Sequence, residues 1–246
     1  VGREPYAYKL YTPGRAVYRP KWRPRPEVWL SADRAMIAAQ DADDPGAIAV
    51  AAWYYAHVYR ASNQVDAAEQ VLTDAASMLD PTGGPEQAAR WGQLHLGLAL
   101  GHAKAGRAGQ AWRAWDAAEA TAARLGDRYA HPWLMFGPAA VAAYGVTVEI
   151  DLVRPGEAIR RATATDYSSL PSHTRRATHL IDAARAYLMR GEDVAAVHLL
   201  GRALRESVDT VRHRPHARMA VLELAGRRGT VGEDARELAL AIGLDG

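Results

Sequence analysis

Three short stretches of the chain share one layout, and that layout restricts the fold more than any other feature of the sequence. Asn63 precedes Ala68 by five residues, Gly106 precedes Ala111 by five, and Gly191 precedes Ala196 by five. A second alanine follows seven residues later in each copy, at Ala75, Ala118 and Ala203. Upstream, alanines stand seven residues before the turn residue (Ala56, Ala99, Ala184) and rings stand four before it (Tyr59, His102, Tyr187). Intervals of four and seven keep side chains on one face of an α-helix. Asn and Gly accept the left-handed conformation that ends a helix. Each copy therefore reads as a helical hairpin, with small residues where two helix backbones cross closely. A bulky residue four beyond the first alanine, Leu72, Trp115 or Leu200, fills the groove beside the crossing.

The register extends beyond these copies. Ala158 continues the series, giving spacings of 43, 47 and 38 residues, but with Val153 at the turn and Thr165 at the second small position. Ala32 and Ala39 lie 36 residues before Ala68 and Ala75. Residues 27–42 thus read as the second helix of a hairpin whose first helix would fall in a proline-rich tail. Helices are expected over 27–42, 46–61, 65–79, 85–105, 108–125, 138–151, 156–166, 173–190, 193–207, 214–227 and 233–242. Asp44-Pro45, Pro85 and Ser172 supply start signals, and Gly126 and Gly243 supply stops. The expectation is an all-α fold over residues 27–246, a right-handed solenoid of about ten or eleven antiparallel helices.

Residues 1–26 form a basic, Pro/Tyr-rich extended tail. Pro5, Pro13, Pro20, Pro24 and Pro26 alternate with Tyr6, Tyr8, Tyr11, Tyr18 and Trp22. Proline removes backbone donors and disfavours helix in the residue before it, so extended or polyproline II chain is expected. The tail carries net +6 and the remaining 220 residues net −4. Charge and rings on a strand suit single-stranded nucleic acid. The simpler reading is a tail that packs on the first helix and covers Trp29, or leaves Trp29 to a second subunit.

Composition excludes several classes. With no cysteine, disulfides, thiol catalysis and thiolate metal sites are ruled out. No apolar run reaches the roughly 18 residues of a membrane span, and no signal-peptide core follows the basic start. No membrane association and a cytoplasmic location are the expectation. Arginine outnumbers lysine 27 to 3, which reads as a GC-rich genome. No paired carboxylates, nucleophile–base pair or phosphate loop are spaced for chemistry, so neither an enzyme nor a cofactor is expected. His95 and His102, seven apart, occupy packing positions, and Pro215 separates His213 from His216, so no metal site is expected.

The order small, aromatic, turn, small, bulky, small resembles the tetratricopeptide repeat. A second resemblance rests on Trp29-Leu30-Ser31-Ala32-Asp33-Arg34-Ala35, on Ala51-Ala52-Trp53 through Ala56-His57-Val58, on Phe136-Gly137-Pro138-Ala139-Ala140-Val141, and on Leu180 through Tyr187. Together, over about 27–228, these are similar to the C-terminal sensor half of actinobacterial XRE-type helix-turn-helix transcriptional regulators. The resemblance implies a DNA-binding domain ahead of the repeats, for which residues 1–26 have no room. Direct DNA binding is therefore not expected, and the chain reads as a truncated relative, a fragment or a stand-alone sensor. The family often has Asn where Ala140 stands, a residue that could hold a peptide backbone.

In such repeats the concave face comes from the first helix of each pair. Repeat position places Trp53, His57 and Arg60 there, then Gln93 and Lys104, then Tyr144 and Thr147, then Arg185. Aromatic, amide and cationic groups in a groove suit a peptide, a partner protein or an anionic small molecule. Arg60, Lys104 and Arg185 are the groups to meet a carboxylate. Trp53 and His57 stand where chaperone-tail-binding repeats carry Lys and Asn, so that activity is excluded. The function expected is a regulatory ligand- or protein-binding module. The alternative is an assembly scaffold or oligomeric subunit, a homodimer included, docking through its basic tail. The loop 127–138, with His131-Pro132-Trp133 and Phe136, reads as a stiff connector with Trp133 and Phe136 plugged into the core.

Overall fold

Proline marks where helices begin. Six of the twelve α-helices among the described residues open on a proline, where a missing N–H costs nothing. The computed structural model describes residues 24–244 and the backbone of 7–12 and 15–20. Tyr6 and Trp22 lie outside the described residues, as do the side chains of Tyr8, Tyr11 and Tyr18. In order, the elements are β1 (Ala7–Thr12), β2 (Arg15–Pro20), α1 (Pro26–Asp41), α2 (Pro45–Ala61), α3 (Val65–Ser77), α4 (Pro85–Lys104), α5 (Ala108–Leu125) and α6 (Pro138–Asp151). They continue with α7 (Pro155–Ala164), α8 (His173–Arg190), α9 (Asp193–Glu206), α10 (Val208–His213), α11 (Pro215–Ala225) and α12 (Thr230–Ala241). Among the described residues the only strands lie in the tail, where β1 and β2 pair antiparallel from Ala7↔Pro20 to Thr12↔Arg15. Paired strands replace polyproline II over those residues.

The chain divides into two compact units, one holding α1–α6 and the other holding the hairpin and α7–α12. In the first, each helix packs on the next, and α4 also lies against both α2 and α6. Its core includes Trp53, Leu72, Leu94, Leu96, Trp115, Phe136, Val141 and Val148. In the second, α8 packs on α7 and α9, while α11 lies against α8, α9 and α12. Leu180, Ile181, Leu200, Val221, Leu224 and Ile242 form its core. No helix among the described residues is long and apolar enough to cross a membrane.

The alanines that define the repeat are where helices meet. Ala56, Ala99, Ala184, Ala68, Ala111, Ala158, Ala196, Ala118 and Ala203 are all fully buried, and Ala75 nearly so. A methyl group is the largest side chain that lets two backbones approach at such a crossing. Leu72 and Leu200 are buried beside them, as is Trp115, whose indole Nε1 donates to the Val141 carbonyl at 3.0 Å.

The turns are equally regular. The N–H of Gln64 reaches the Tyr59 carbonyl, that of Arg107 the His102 carbonyl and that of Glu192 the Tyr187 carbonyl, at 2.8–3.0 Å. The N–H groups of Asn63, Gly106 and Gly191 donate to Arg60, Ala103 and Leu188 in the same three turns. These bonds close carbonyls that the helix leaves unpaired, and they require a left-handed residue between. Asn63 has φ 63°, Gly106 75° and Gly191 82°.

The structure departs from the sequence reading at the C-terminal end. A short helix, α10, stands where a linker was expected, capped by Ser207 Oγ, which accepts from the Thr210 N–H at 3.2 Å. A 3-10 turn over Tyr167–Ser169 precedes α8, with Asp166 accepting from the Ser168 N–H at 3.0 Å. Helix α12 starts at Thr230, three residues earlier than its polar opening suggested.

Val153 takes the same left-handed conformation, φ 61°, with a β-branched side chain. That conformation costs an ordinary residue about 1–2 kcal/mol. Val153→Gly is expected to raise the unfolding free energy by about 1 kcal/mol in urea titration, since the strain relieved exceeds the added chain entropy. Unchanged or lower stability would show that the turn carries no such strain.

Candidate functional site

Two glycines on α4 open the space in which the expected site residues meet. A Cβ at Gly97 would stand 2.9 Å from Leu72 Cδ1 and 3.2 Å from Trp53 Cζ3. One at Gly101 would meet only Val65 Cγ1 at 3.7 Å and Arg60 Cδ at 3.9 Å. Side chains of α2 therefore reach across α4 toward α6. Trp53 lies edge-on to Tyr144, ring centres 6.0 Å apart, and leans on His57 at 4.6 Å. Further along, Arg60 Nη1 donates to the Gly97 carbonyl at 3.3 Å. A helix carbonyl is normally screened by the side chain four residues on; here that residue is Gly101.

Arg60 is the electrostatic centre of the cluster. Its Nη2 lies 2.9 Å from His57 Nδ1. A guanidinium only donates, so Nδ1 is the acceptor and the His57 proton sits on Nε2. Lys104 Nζ donates to the Arg60 carbonyl at the end of α2. Loss of solvent pulls the Arg60 guanidinium below its ordinary range, opposed by the nearby Tyr144 and Asp151. Yet some of its surface still meets water. The side chain is half-buried against α4. Among the described residues no carboxylate lies within ion-pair distance of it.

The other expected residues divide. Trp53 and Tyr144 are buried at 4% and 8% exposure and so offer a ligand little surface. Gln93 is 2% exposed, four residues before Gly97 on α4, and its Oε1 has no partner among the described residues. Thr147 is half-buried on α6. Arg185 lies in the other unit, where Nη1 donates to Asp182 Oδ1 at 2.9 Å, one helical turn away. His57, Arg60, Lys104 and Tyr144 thus assemble around one point, and Arg185 serves a pair of its own.

Sequence reasoning missed Gly97, Gly101 and Asp151. The four-residue spacing of the glycines within a predicted helix was the available signal, since it marks a face stripped of side chains. It also missed a polar cluster in the second unit. There the Tyr167 ring lies parallel to His179 at 6.3 Å, with Arg202 Cζ 4.9 Å from the Tyr167 ring centre.

The loop after α5 differs from expectation in one residue. Phe136 is fully buried and fills a notch at Gly92, where a Cβ would stand 2.2 Å from Phe136 Cζ. A Cβ at Gly137 would stand 2.0 Å from the Tyr129 carbonyl oxygen, so Phe136-Gly137-Pro138 is a steric requirement of the loop. Trp133, by contrast, is 85% exposed. The loop is pinned by His131, buried at 2% exposure, whose Nδ1 accepts from the N–H groups of Trp133 at 3.2 Å and Leu134 at 3.1 Å. Its Nε2 faces Glu86 Oε1 at 3.2 Å. Trp133 projects because its own N–H is tied inward.

Elsewhere, Trp29 packs edge-on against Tyr55 at 6.1 Å and Tyr59 at 5.2 Å, beside buried Pro24. A recess of about 430 Å³ there is lined by Pro24, Trp29, Ser62 and Gln64. No group of three or more metal-ligating side chains is placed to hold an ion among the described residues. No family model matches the sequence, and no curated protein is significantly similar to it.

Two sets of measurements test this packing. The same substitution is expected to act oppositely at two points of α4. Gly101→Ala adds helix propensity without a clash and should stabilise by up to about 1 kcal/mol. Gly92→Ala drives a methyl into Phe136 and should destabilise by about 1–3 kcal/mol. Equal signs in urea unfolding would contradict the contacts at these glycines.

Burial depresses the pKa of His95, His102 and His179 below the usual 6.5. Below that pH the unfolded chain takes up protons that the folded chain refuses. Stability should therefore fall as pH drops through 6.5 toward the folded values, by up to about 1.4 kcal/mol per pH unit for each histidine. His179→Gln should make the slope of unfolding free energy against pH shallower. An unaltered slope would show that this histidine contributes nothing to it.

Proposed function

We propose that the protein is a regulatory binding module, built on a tetratricopeptide-like solenoid, that takes a small molecule or peptide in a recess on the face formed by α2, α4 and α6. The observation that carries this reading is Arg60: a half-buried guanidinium that donates to the Gly97 carbonyl and to His57 Nδ1, with no carboxylate in ion-pair reach among the described residues. Enclosed charges are ordinarily paired, because an unpaired one loses solvation without return. A ligand would complete the pairing. The resemblance to sensor halves of helix-turn-helix regulators points to the same role, with DNA contact left to a separate domain. Signalling would follow from a ligand that binds one helix arrangement better than another and so shifts the population between them.

A second reading, protein assembly, is favoured by the exposed Trp133 on its pinned loop, since tryptophan supplies much of the binding energy at protein interfaces. Light scattering of the chain with and without residues 1–23 separates the two. The module reading expects an unchanged number of chains per particle, whereas assembly through the tail expects the particle to dissociate.

The recess itself is tested by thermal-shift screening of small acids, phosphates and short peptides against the wild type and Arg60→Ala. A ligand at one hundred times its Kd should stabilise the wild type by about 2.7 kcal/mol and the variant far less. A ligand that stabilises both equally would place binding elsewhere.

A further inference from the structure

We infer that Trp133 of one copy of the chain inserts into the recess beside Trp29 of a second copy, an inference that rests on neither the Arg60 site nor the tail. The inserting group is displayed rigidly. The Trp133 indole is 85% exposed, yet Leu134 and Phe136 are buried just behind it. His131 Nδ1 accepts from the N–H of Trp133 itself, and the His131 N–H donates to the Phe136 carbonyl at 2.8 Å. The Tyr129 hydroxyl fastens the approach to the loop, donating to the Pro85 carbonyl at 3.3 Å. A side chain presented on a fixed backbone loses less freedom on docking than one on a loose loop. Tryptophan is also among the strongest anchors at protein interfaces.

The recess has the matching chemistry. Its volume, about 430 Å³, lies within the range of roughly 300–1,000 Å³ that holds ring-bearing ligands. Among the described residues Pro24 and Trp29 give it apolar walls, with the Trp29 ring braced edge-on by Tyr55 and Tyr59. Ser62 and Gln64 give it polar ones. The Ser62 hydroxyl is shielded from solvent and has no hydrogen-bond partner. The Gln64 side chain, exposed at the start of α3 without a cap bond, offers an acceptor. An indole needs this combination: apolar walls for its ring and an acceptor for its one N–H. A phenyl ring would leave the polar end unmet, and a carboxylate would be desolvated against Pro24 and Trp29.

Within one copy the two cannot meet. Helices α2 and α4 run side by side: a Cβ on Gly46, at the start of α2, would strike Arg90, and Arg60, near its end, adjoins Gly101. The Trp133 loop is fastened at Pro85 and Glu86, the first residues of α4. The recess lies at Ser62 and Gln64, just past the end of α2. From Glu86 to Gly101 a helix rises about 22 Å, so the contact joins separate copies. One indole and its rim cover far less than the roughly 800 Å² per partner of a standard interface, so the association is weak and grows with concentration.

The test follows the full chain by sedimentation equilibrium from micromolar to near-millimolar concentration. The wild type should associate reversibly. Trp133→Ala removes a side chain that touches little, and Gln64→Trp fills the recess while leaving the backbone bonds of the turn in place. Each should weaken self-association at least about tenfold. Mixed in equal amounts they should associate again and stop at two chains, because the mixture holds one kind of intact indole and one kind of open recess. A second readout labels the full chain with 5-fluorotryptophan. The Trp133 and Trp29 fluorine signals, assigned by their loss in Trp133→Ala and Trp29→Phe, should shift together with concentration while the remaining tryptophans stay still. A wild type that is monomeric at every concentration overturns the inference, as does self-association that Trp133→Ala leaves intact. Association lost in both variants and not recovered in their mixture, or a Trp133 signal that moves while Trp29 does not, overturns the recess as the partner of Trp133. Should Gln64→Trp lose its helical circular dichroism, the two fluorine signals decide alone. None of these outcomes bears on the thermal-shift comparison at Arg60.

Discussion

Two helices can lie in contact along their backbones only where no large side chain stands between them. That constraint organises both units. The alanines at 56, 68, 99, 111, 184 and 196 are fully buried because each sits at such a crossing. Interaxial distances of about 8–10 Å depend on the size of the residues at the contact. On α4 the constraint goes one step further, to glycine at 97 and 101. Both are buried, and side chains of α2 pack against α4 there, Trp53 at Gly97 and the Arg60 stem at Gly101. Trp53 reaches Tyr144, and Arg60 reaches a backbone carbonyl that a larger residue at 101 would have screened. The packing rule that builds the fold thus also creates the place where a charged group is enclosed without being sealed.

The turns show how local chemistry and packing divide the work. Asn63, Gly106 and Gly191 supply a left-handed residue at little cost, and three pairs of hydrogen bonds follow. Val153 adopts the same conformation against its own preference. Fully buried Ala158 on the helix that follows shows what holds it there. Helix α7 is fixed by its packing on α8, and the turn residue ahead of it conforms.

This explains which parts were legible in the sequence. Helix α5 and helix α8 are found with the bounds that periodicity and capping predict, because Gly126, Ser172 and Gly191 mark their ends in local chemistry. Helix α10 was invisible: six residues are too few for a period, and its cap, Ser207, is one serine among many. Strands β1 and β2 were hidden for another reason, since prolines set an extended backbone without saying what it pairs with. At the site, repeat position named Trp53, His57, Arg60, Lys104 and Tyr144, which do come together. It could not say which would be walls and which would be wetted, because that depends on the size of residues on neighbouring helices. Trp133 and Phe136 make the same point within one loop. Both are large and apolar, three residues apart, yet only Phe136 has a notch, at Gly92, to enter.

Arg60 is the residue for which structure alone gives an incomplete account. Its two hydrogen bonds do little for stability. The Gly97 carbonyl lies within helix α4, where the backbone already offers it a partner, and His57 could turn its ring to water. A methionine would fill much the same volume without the cost of drawing a charge out of solvent. The compensating ion pair that normally accompanies an enclosed arginine is absent among the described residues. Lys104 at the same helix end adds a second positive charge. On the proposed function, a bound acceptor group would answer that imbalance, and the guanidinium, already desolvated in folding, would meet it without reorganisation.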